Sequence, residues 1–372
     1  MPYHTRKKKS AAGPLLVILL CIAGVGFSWW SMDGTADAES RGTAVAKHEQ
    51  PQHTVSAAAS LAESAPQESC YAQLKASILA QDASVFLAGA SKQDFQAAYA
   101  QVVDDPALFG VNGCNYTTTS LGVKVDWVWN CDDFPARLAA AEAAANDILA
   151  GMDQSASDYN KVLYLHDWLC RNVSYVSSED ATDQTIYGAL VARQAVCSGY
   201  CNAFRYLLAK LGIEAGIVKG TAGGQSHAWN SVTLGDELYY CDVTWDDQEG
   251  DGGNYISYNW FCVTSEEMRR QHTPNEDARM PDTAATACNY YIYNGYQMDS
   301  WSEARLVEIL STQAAGQTLT VRCADDATYQ QMEDVLFGQN EVIRILREAG
   351  VSATSLRYTE EPEMRTVTFL LA

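Results

Sequence analysis

Residues 195–247 read AVCSGYCNAFRYLLAKLGIEAGIVKGTAGGQSHAWNSVTLGDELYYCDVTWDD, and the parsing of this stretch decides the fold. After Cys197 the apolar positions Ala203, Phe204, Leu207, Leu208 and Leu211 recur at helical spacing, and Gly212 ends the run. Cys197 therefore falls in the first turn of a helix. Backbone N–H groups there lack intrahelical acceptors and the dipole is positive, which favours thiolate over thiol and could hold a developing oxyanion. Further on, 226–234 and 237–243 flank Gly235-Asp236, an adequate two-residue hairpin turn. With that turn Leu234 faces Glu237, so His227 faces Thr244 and Asp242 faces Trp229. His227 and Asp242 then share one sheet face as diagonal neighbours, about 7–8 Å apart at the backbone, within reach of a hydrogen bond. A three-residue loop would instead put them on opposite faces.

A thiol nucleophile needs a base to take its proton, and the base needs a third group to orient it. Cys197, His227 and Asp242 supply those three roles in one helix-plus-hairpin unit. The rival is a zinc site assembled from Cys197, Cys201, His227 and Cys241. Cys241 is adjacent to Asp242 and so faces away from His227, and C-x3-C is a poor match to structural zinc spacing. Cys201 suits a disulfide better, with Cys170 or Cys241 as partner.

The 372 residues suffice for one large domain or two smaller ones. Net charge is −21, and all four basic residues before position 31 lie in Arg6–Lys9, so the remainder carries 21 basic against 46 acidic residues. That excess disfavours nucleic acid and anionic surfaces as partners. Eleven cysteines suit an oxidising compartment.

Residues 11–30 carry no charge and follow the basic segment 1–10, which predicts a single span with the N-terminus inside and the rest exported. The apolar run exceeds the ~7–15 residues of a signal core, favouring an uncleaved anchor. The competing reading is a cleaved signal peptide, with Ala36-Asp37-Ala38 as cleavage site and a secreted product. A lipoprotein reading through Cys21 is weakened by Leu20 before it. Residues 31–68 read as a flexible linker.

An N-terminal region, 69–155, follows: helices over 70–82 and 93–103, a hairpin around Leu121-Gly122 between 117–120 and 123–129, and an Ala-rich helix over 134–151. Cys114 and Cys131 flank that hairpin, which invites a disulfide. The expected catalytic core spans 156–295, with a helix over 157–173 that carries His166 as a structural histidine, and a strand over 254–263. A small α/β domain over 302–372 closes the chain: helix 302–313, strand 318–323, helix 326–349, strands 354–359 and 365–371. There are no repeats and no phosphate loop.

The motifs Tyr187-Gly188-Ala189-Leu190, Ala195-Val196-Cys197-Ser198-Gly199-Tyr200, Leu211-Gly212-Ile213, His227-Ala228-Trp229-Asn230 and Asp242-Val243-Thr244-Trp245-Asp246-Asp247 resemble the transglutaminase-like superfamily, a papain-like group in which Cys precedes His and then Asp. The segments Leu165-His166-Asp167-Trp168-Leu169, Asn259-Trp260-Phe261 and His272 are similar to bacterial exported members. The resemblance implies an α+β fold: a papain-like core, its Cys-bearing helix packed on an antiparallel sheet that carries His and Asp, between an N-terminal α/β extension and a C-terminal α/β appendage. It implies that Cys197 attacks a carboxamide or peptide carbonyl to give a thioester, with His227 as base then acid and Asp242 holding the imidazole. Amine acceptors would give transglutamination and water hydrolysis, on protein or cell-wall peptide substrates. Tyr200, Trp229, Asn230, Trp245 and Asp246 are expected to support the site, the large aromatics mainly by packing. Asp246 and Asp247 read as solvated or capping groups rather than calcium ligands. No metal or cofactor is expected. Cys201 departs from the pattern, since many relatives carry an apolar residue there. A catalytically silent surface binding or assembly module on the same fold is the alternative.

Overall fold

The structure, a computed structural model, describes residues 41–44, 64–178, 181–248 and 255–371. The expected anchor at 11–30 lies outside the described residues, as does most of the linker 31–68. Among the described residues no helix is long and apolar enough to cross a membrane. The chain is α+β and divides into two compact units, which comprise the described residues of Gly24–Ala156 with Asn172–Gly212, and of Ser157–Arg171 with Ile213–Ala372.

The first unit holds β1 (Arg41–Ala44), α1 (Ser64–Leu79), β2 (Ser84–Ala88), α2 (Lys92–Asp104), β3 (Val111–Thr119), β4 (Gly122–Trp129) and α3 (Phe134–Ala150). Its antiparallel sheet runs in the order β1-β3-β4-β2. Helix α1 buries Cys70, Leu74 and Ile78 at intervals of one turn. Helix α2 opens with a capping box between Ser91 and Asp94 and buries Phe95, Ala98, Tyr99 and Val102. Val123, Val125 and Trp127 alternate inward on β4. The turn itself falls at Ser120-Leu121, because Thr119 pairs with Gly122. The same register sets Cys114 opposite Trp127, and the Asn130 N–H reaches the Gly110 carbonyl at 3.0 Å. Cys131 thus lies beside the start of β3 rather than across from Cys114, and the expected bridge is not formed. None of the ten described cysteines is in a disulfide, Cys201 included.

After α4 (Asp158–Asn172), most of which belongs to the second unit, the chain returns to the first unit through the parallel pair β5 (Ser174–Tyr175) and β6 (Gln194–Ala195). It then enters α5 (Cys197–Lys210), whose buried stripe is Tyr200, Ala203, Phe204, Leu207 and Leu208. Arg205 on α5 reaches the Asp104 carboxylate at the end of α2 at 2.7 Å.

The second unit contains the sheet that decides the chemistry. Strands β7 (Ala215–Ala222), β8 (Gln225–Leu234) and β9 (Glu237–Cys241) lead into the short helix α6 (Val243–Asp246). Leu234 pairs with Glu237 and Asn230 with Cys241, as the two-residue turn requires. The pairing stops there. Asp242 is not a strand residue facing Trp229, and Thr244 does not face His227; Asp242 is the N-cap of α6. The expected strand over 254–263 is also interrupted: β10 (Asp247–Gln248) pairs with the two-residue β11 (Tyr255–Ile256). Cys262 has a positive φ of 53°, and Val263 forms an isolated bridge to Tyr240. After α7 (Ser265–Met268), β12 (His272–Pro274) joins the free edge of β7, giving the order β12-β7-β8-β9.

The chain continues through α8 (Tyr290–Tyr293) to a second sheet. Its strands are β13 (Gln297–Met298), β14 (Thr318–Cys323), β15 (Leu356–Glu361) and β16 (Thr366–Leu371), ordered β13-β14-β16-β15. Helices α9 (Glu303–Thr312), α10 (Asp326–Glu333) and α11 (Val342–Glu348) pack on it through Leu306, Ile309, Met332 and Ile345. The single helix expected over 326–349 is broken: a π-turn occupies Asp334–Gly338 and Asn340 takes a positive φ of 61°.

This sheet is tied to the segment leading into β12. Arg322 on β14 makes an ion pair with Glu267 on α7, both side chains being buried. Arg270 donates to the Glu363 carbonyl at 2.7 Å, and Gln271 to Glu361 at 3.0 Å. Removing one member of a buried pair leaves an uncompensated charge. Arg322→Ala is therefore expected to cost about 3–5 kcal/mol in denaturant unfolding of the full chain. A loss below about 1 kcal/mol, the range of exposed pairs, would contradict this.

Candidate active site

The sheet brings two histidines onto one face. His227 on β8 pairs with Gly220 on β7, and His272 on β12 pairs with Ala222 on β7. Residues two apart on a strand project to the same side, so both imidazoles lie on one face with only Gly220 and Ala222 between them. Gly220 is required there. A Cβ at this position would lie 2.1 Å from the Thr273 carbonyl oxygen and 2.8 Å from the Trp229 ring.

Asp242 enters this space from the end of β9. Its Oδ2 lies 2.6 Å from Nε2 of His227 and 2.8 Å from Nε2 of His272, while Oδ1 accepts the Trp245 N–H at 3.1 Å. The carboxyl is buried, which works to raise its pKa. The charge and hydrogen bond of His227, followed by those of His272, outweigh that and hold it well below the usual carboxylate range. Three donors thus occupy three of the roughly four acceptor positions on its two oxygens.

The tryptophans form the walls. Trp229 is fully buried, its ring 6.4 Å from that of His227 and 5.0 Å from that of His272. Trp245 lies 5.8 Å from His227 and 4.6 Å from His272, and Trp260 4.7 Å from His272. Asn230, also buried, donates to the Gly216 carbonyl at 3.0 Å and so ties β8 to β7. Cys241 points away from the histidines. Its Sγ is 3.7 Å from that of Cys262 and accepts the Cys262 N–H at 3.3 Å. His227, Asp242 and His272 are groups a metal could use, with ligand atoms within 4.8 Å of one another. The 2.6 and 2.8 Å separations are hydrogen-bond lengths, however, and a zinc bonded at ~2.0–2.1 Å to each would have to spread them.

Asp246 differs from expectation. It is wholly buried rather than solvated: Oδ2 lies 3.2 Å from Nε2 of the buried His166, and Oδ1 accepts the Trp260 N–H at 3.1 Å. Burial pushes its carboxyl up to about 6, against the pull of His166. The Trp260 carbonyl in turn accepts the Asp242 N–H at 3.0 Å. The Trp260 peptide thus links the two acids at the ends of α6.

In the first unit, Cys197 is the first residue of α5, after the extended N-cap Val196. The Val196 N–H donates to the Asp183 carbonyl at 3.1 Å, and a Cβ on Gly199 would lie 2.1 Å from that same oxygen. The helix start is thereby fixed against the 181–183 loop. Tyr200 is buried and donates from its hydroxyl to the Val173 carbonyl at 2.7 Å, a packing role.

Comparison with known proteins follows this layout. Residues 143–250, which include Cys197, His227 and Asp242, match the family model of the transglutaminase-like superfamily. The central stretch is transglutaminase-like. No curated protein matches the chain. Among solved structures, a candidate cysteine protease from Cytophaga hutchinsonii is 22% identical, with 28% of this chain and 37% of that one covered and a TM-score of 0.26. A TGase is 12% identical, with coverages of 45% and 52% and a TM-score of 0.28. Menin is 14% identical, with coverages of 61% and 46% and a TM-score of 0.23. The chain thus spans between about a third and half of these structures' length, and scores this low carry neither fold nor function across.

The sequence alone assigned His272 no role. It lies 30 residues beyond Asp242, on an edge strand reached through β7, and the pairing of one hairpin could not have located it.

The ionised Asp242 contributes stability that is present above its unfolded pKa of about 4 and is lost as pH falls through the depressed folded value. Asp242→Asn should therefore lower the melting temperature most near pH 7, and the gap to wild type should narrow in strong acid. A gap independent of pH would contradict the charge assignment.

Proposed function

We propose that this protein catalyses cysteine-dependent acyl transfer on protein or peptide amides, cell-wall peptide among them, outside the cytoplasm. The observation that supports it most is the buried His227–Asp242 hydrogen bond of 2.6 Å, a histidine oriented by an ionised carboxylate. Cys197 at the head of α5 is the nucleophile of this reading. Nε2 of His227 is committed to Asp242, so proton exchange with the thiol runs through Nδ1. His227 takes the Cys197 proton as Sγ attacks the carboxamide carbon. It then gives that proton to the leaving amine or ammonia, and a thioester remains. Water, or a primary amine, attacks the thioester with His227 again as base, which releases acid or new amide and restores the thiol. Hydrolysis is favoured over cross-linking because water is the abundant acceptor. The basic residues before the apolar run 11–30 support a membrane anchor with the catalytic region exported.

Iodoacetamide at mildly acidic pH is expected to alkylate Cys197 ahead of the other thiols, read by peptide mass spectrometry under reducing conditions. On a peptide-amide library the wild type should release acyl product or incorporate added primary amine, and Cys197→Ala should do neither. Absence of both activities in the wild type, with Cys197 labelled no faster than other thiols, would leave a binding module on the same fold.

A further inference from the structure

We propose that His272 is a positioning residue for this reaction, donating Nε2–H to the same Asp242 oxygen that orients His227 and so fixing the direction in which the catalytic imidazole points. The inference rests on the reading of Cys197 and His227 given above and adds a fourth member to that set.

The geometry carries it. His227 and the Trp245 N–H each hold one oxygen of the carboxylate, and the second imidazole, 2.8 Å from Oδ2, adds a further restraint on the oxygen that His227 binds. His272 is itself immobile: it is 1% exposed and enclosed by the rings of Trp229, Trp245 and Trp260. Its Nδ1 is buried with no hydrogen-bond partner, so the proton that the geometry places is on Nε2, where the carboxylate accepts it. A histidine set among tryptophans only to fill space would not leave one nitrogen unpartnered while aiming the other at a buried carboxylate.

The backbone on the N-terminal side of His272 is also held. Glu267, Arg270 and Gln271 are bonded to Arg322, Glu363 and Glu361 of the C-terminal sheet region. The C-terminal region, which has no chemical motif of its own, thereby fixes the strand that aims His272.

The test uses the full chain and compares Cys197 alkylation rates at neutral pH in wild type, His272→Phe and His272→Gln. Phenylalanine keeps the ring and loses the donor; glutamine places an amide N–H near the former Nε2. Loss of a hydrogen bond to a charged group predicts a rate about 10- to 100-fold lower in His272→Phe, with most of it restored in His272→Gln. Equal rates in wild type and His272→Phe, or equal loss in both variants, would overturn the proposal while leaving the Cys197 reading intact. A wild type whose Cys197 reacts no faster than other thiols would overturn the parent reading instead. Should His272→Phe not fold, nitrogen-15 histidine spectra of unmutated protein decide: His272 must appear with Nε2 protonated, and a proton on Nδ1 overturns the assignment.

Discussion

One carboxylate oxygen, Oδ2 of Asp242, receives two imidazoles, and much of the second unit is arranged so that it can. The oxygen is buried, so its charge is tolerable only with full hydrogen bonding. Meeting that demand requires β9 to end at Cys241, so that Asp242 can turn inward and cap α6. It requires β12 to approach β7 closely, which Gly220 permits. It also requires the Trp260 peptide to take the Asp242 N–H on its carbonyl while its own N–H goes to Asp246. The second buried pair, His166 with Asp246, is the counterpart of this arrangement. It holds the far end of α6 and keeps the peptide between the two acids in register.

Much of this was legible in the sequence, for identifiable reasons. The two-residue turn at Gly235-Asp236 fixes the β8–β9 register, and parity then separates Cys241 from His227. Helical spacing after Cys197 places the thiol at the start of α5. Both readings depend on local periodicity, where sequence is most informative. The Asp–His bond was foreseen on a diagonal strand pairing that does not exist. The bond forms because Asp242 leaves the strand, which only tertiary contacts with 257–263 and the need to cap α6 could decide.

What escaped the sequence is non-local. His272 reaches Asp242 across β7, and no pattern within a single strand encodes that. Asp246 next to Asp247 reads as a solvated pair until His166, 80 residues away, is placed against it. The Cys114–Cys131 expectation failed because the hairpin register runs four residues away from the flanking cysteine. The long C-terminal helix failed at Gly338 and Asn340, where the chain turns in a conformation that helical periodicity does not reveal.

The central claim is that the Asp242-held histidine serves the thiol of Cys197. Acid-quenched intact-mass and peptide mass spectrometry of the full chain, mixed briefly with a carboxamide peptide under reducing conditions, tests it most directly. The account predicts an acyl adduct on Cys197 that is absent from Cys197→Ala. Turnover that persists in Cys197→Ala, or an adduct confined to another residue, would contradict it.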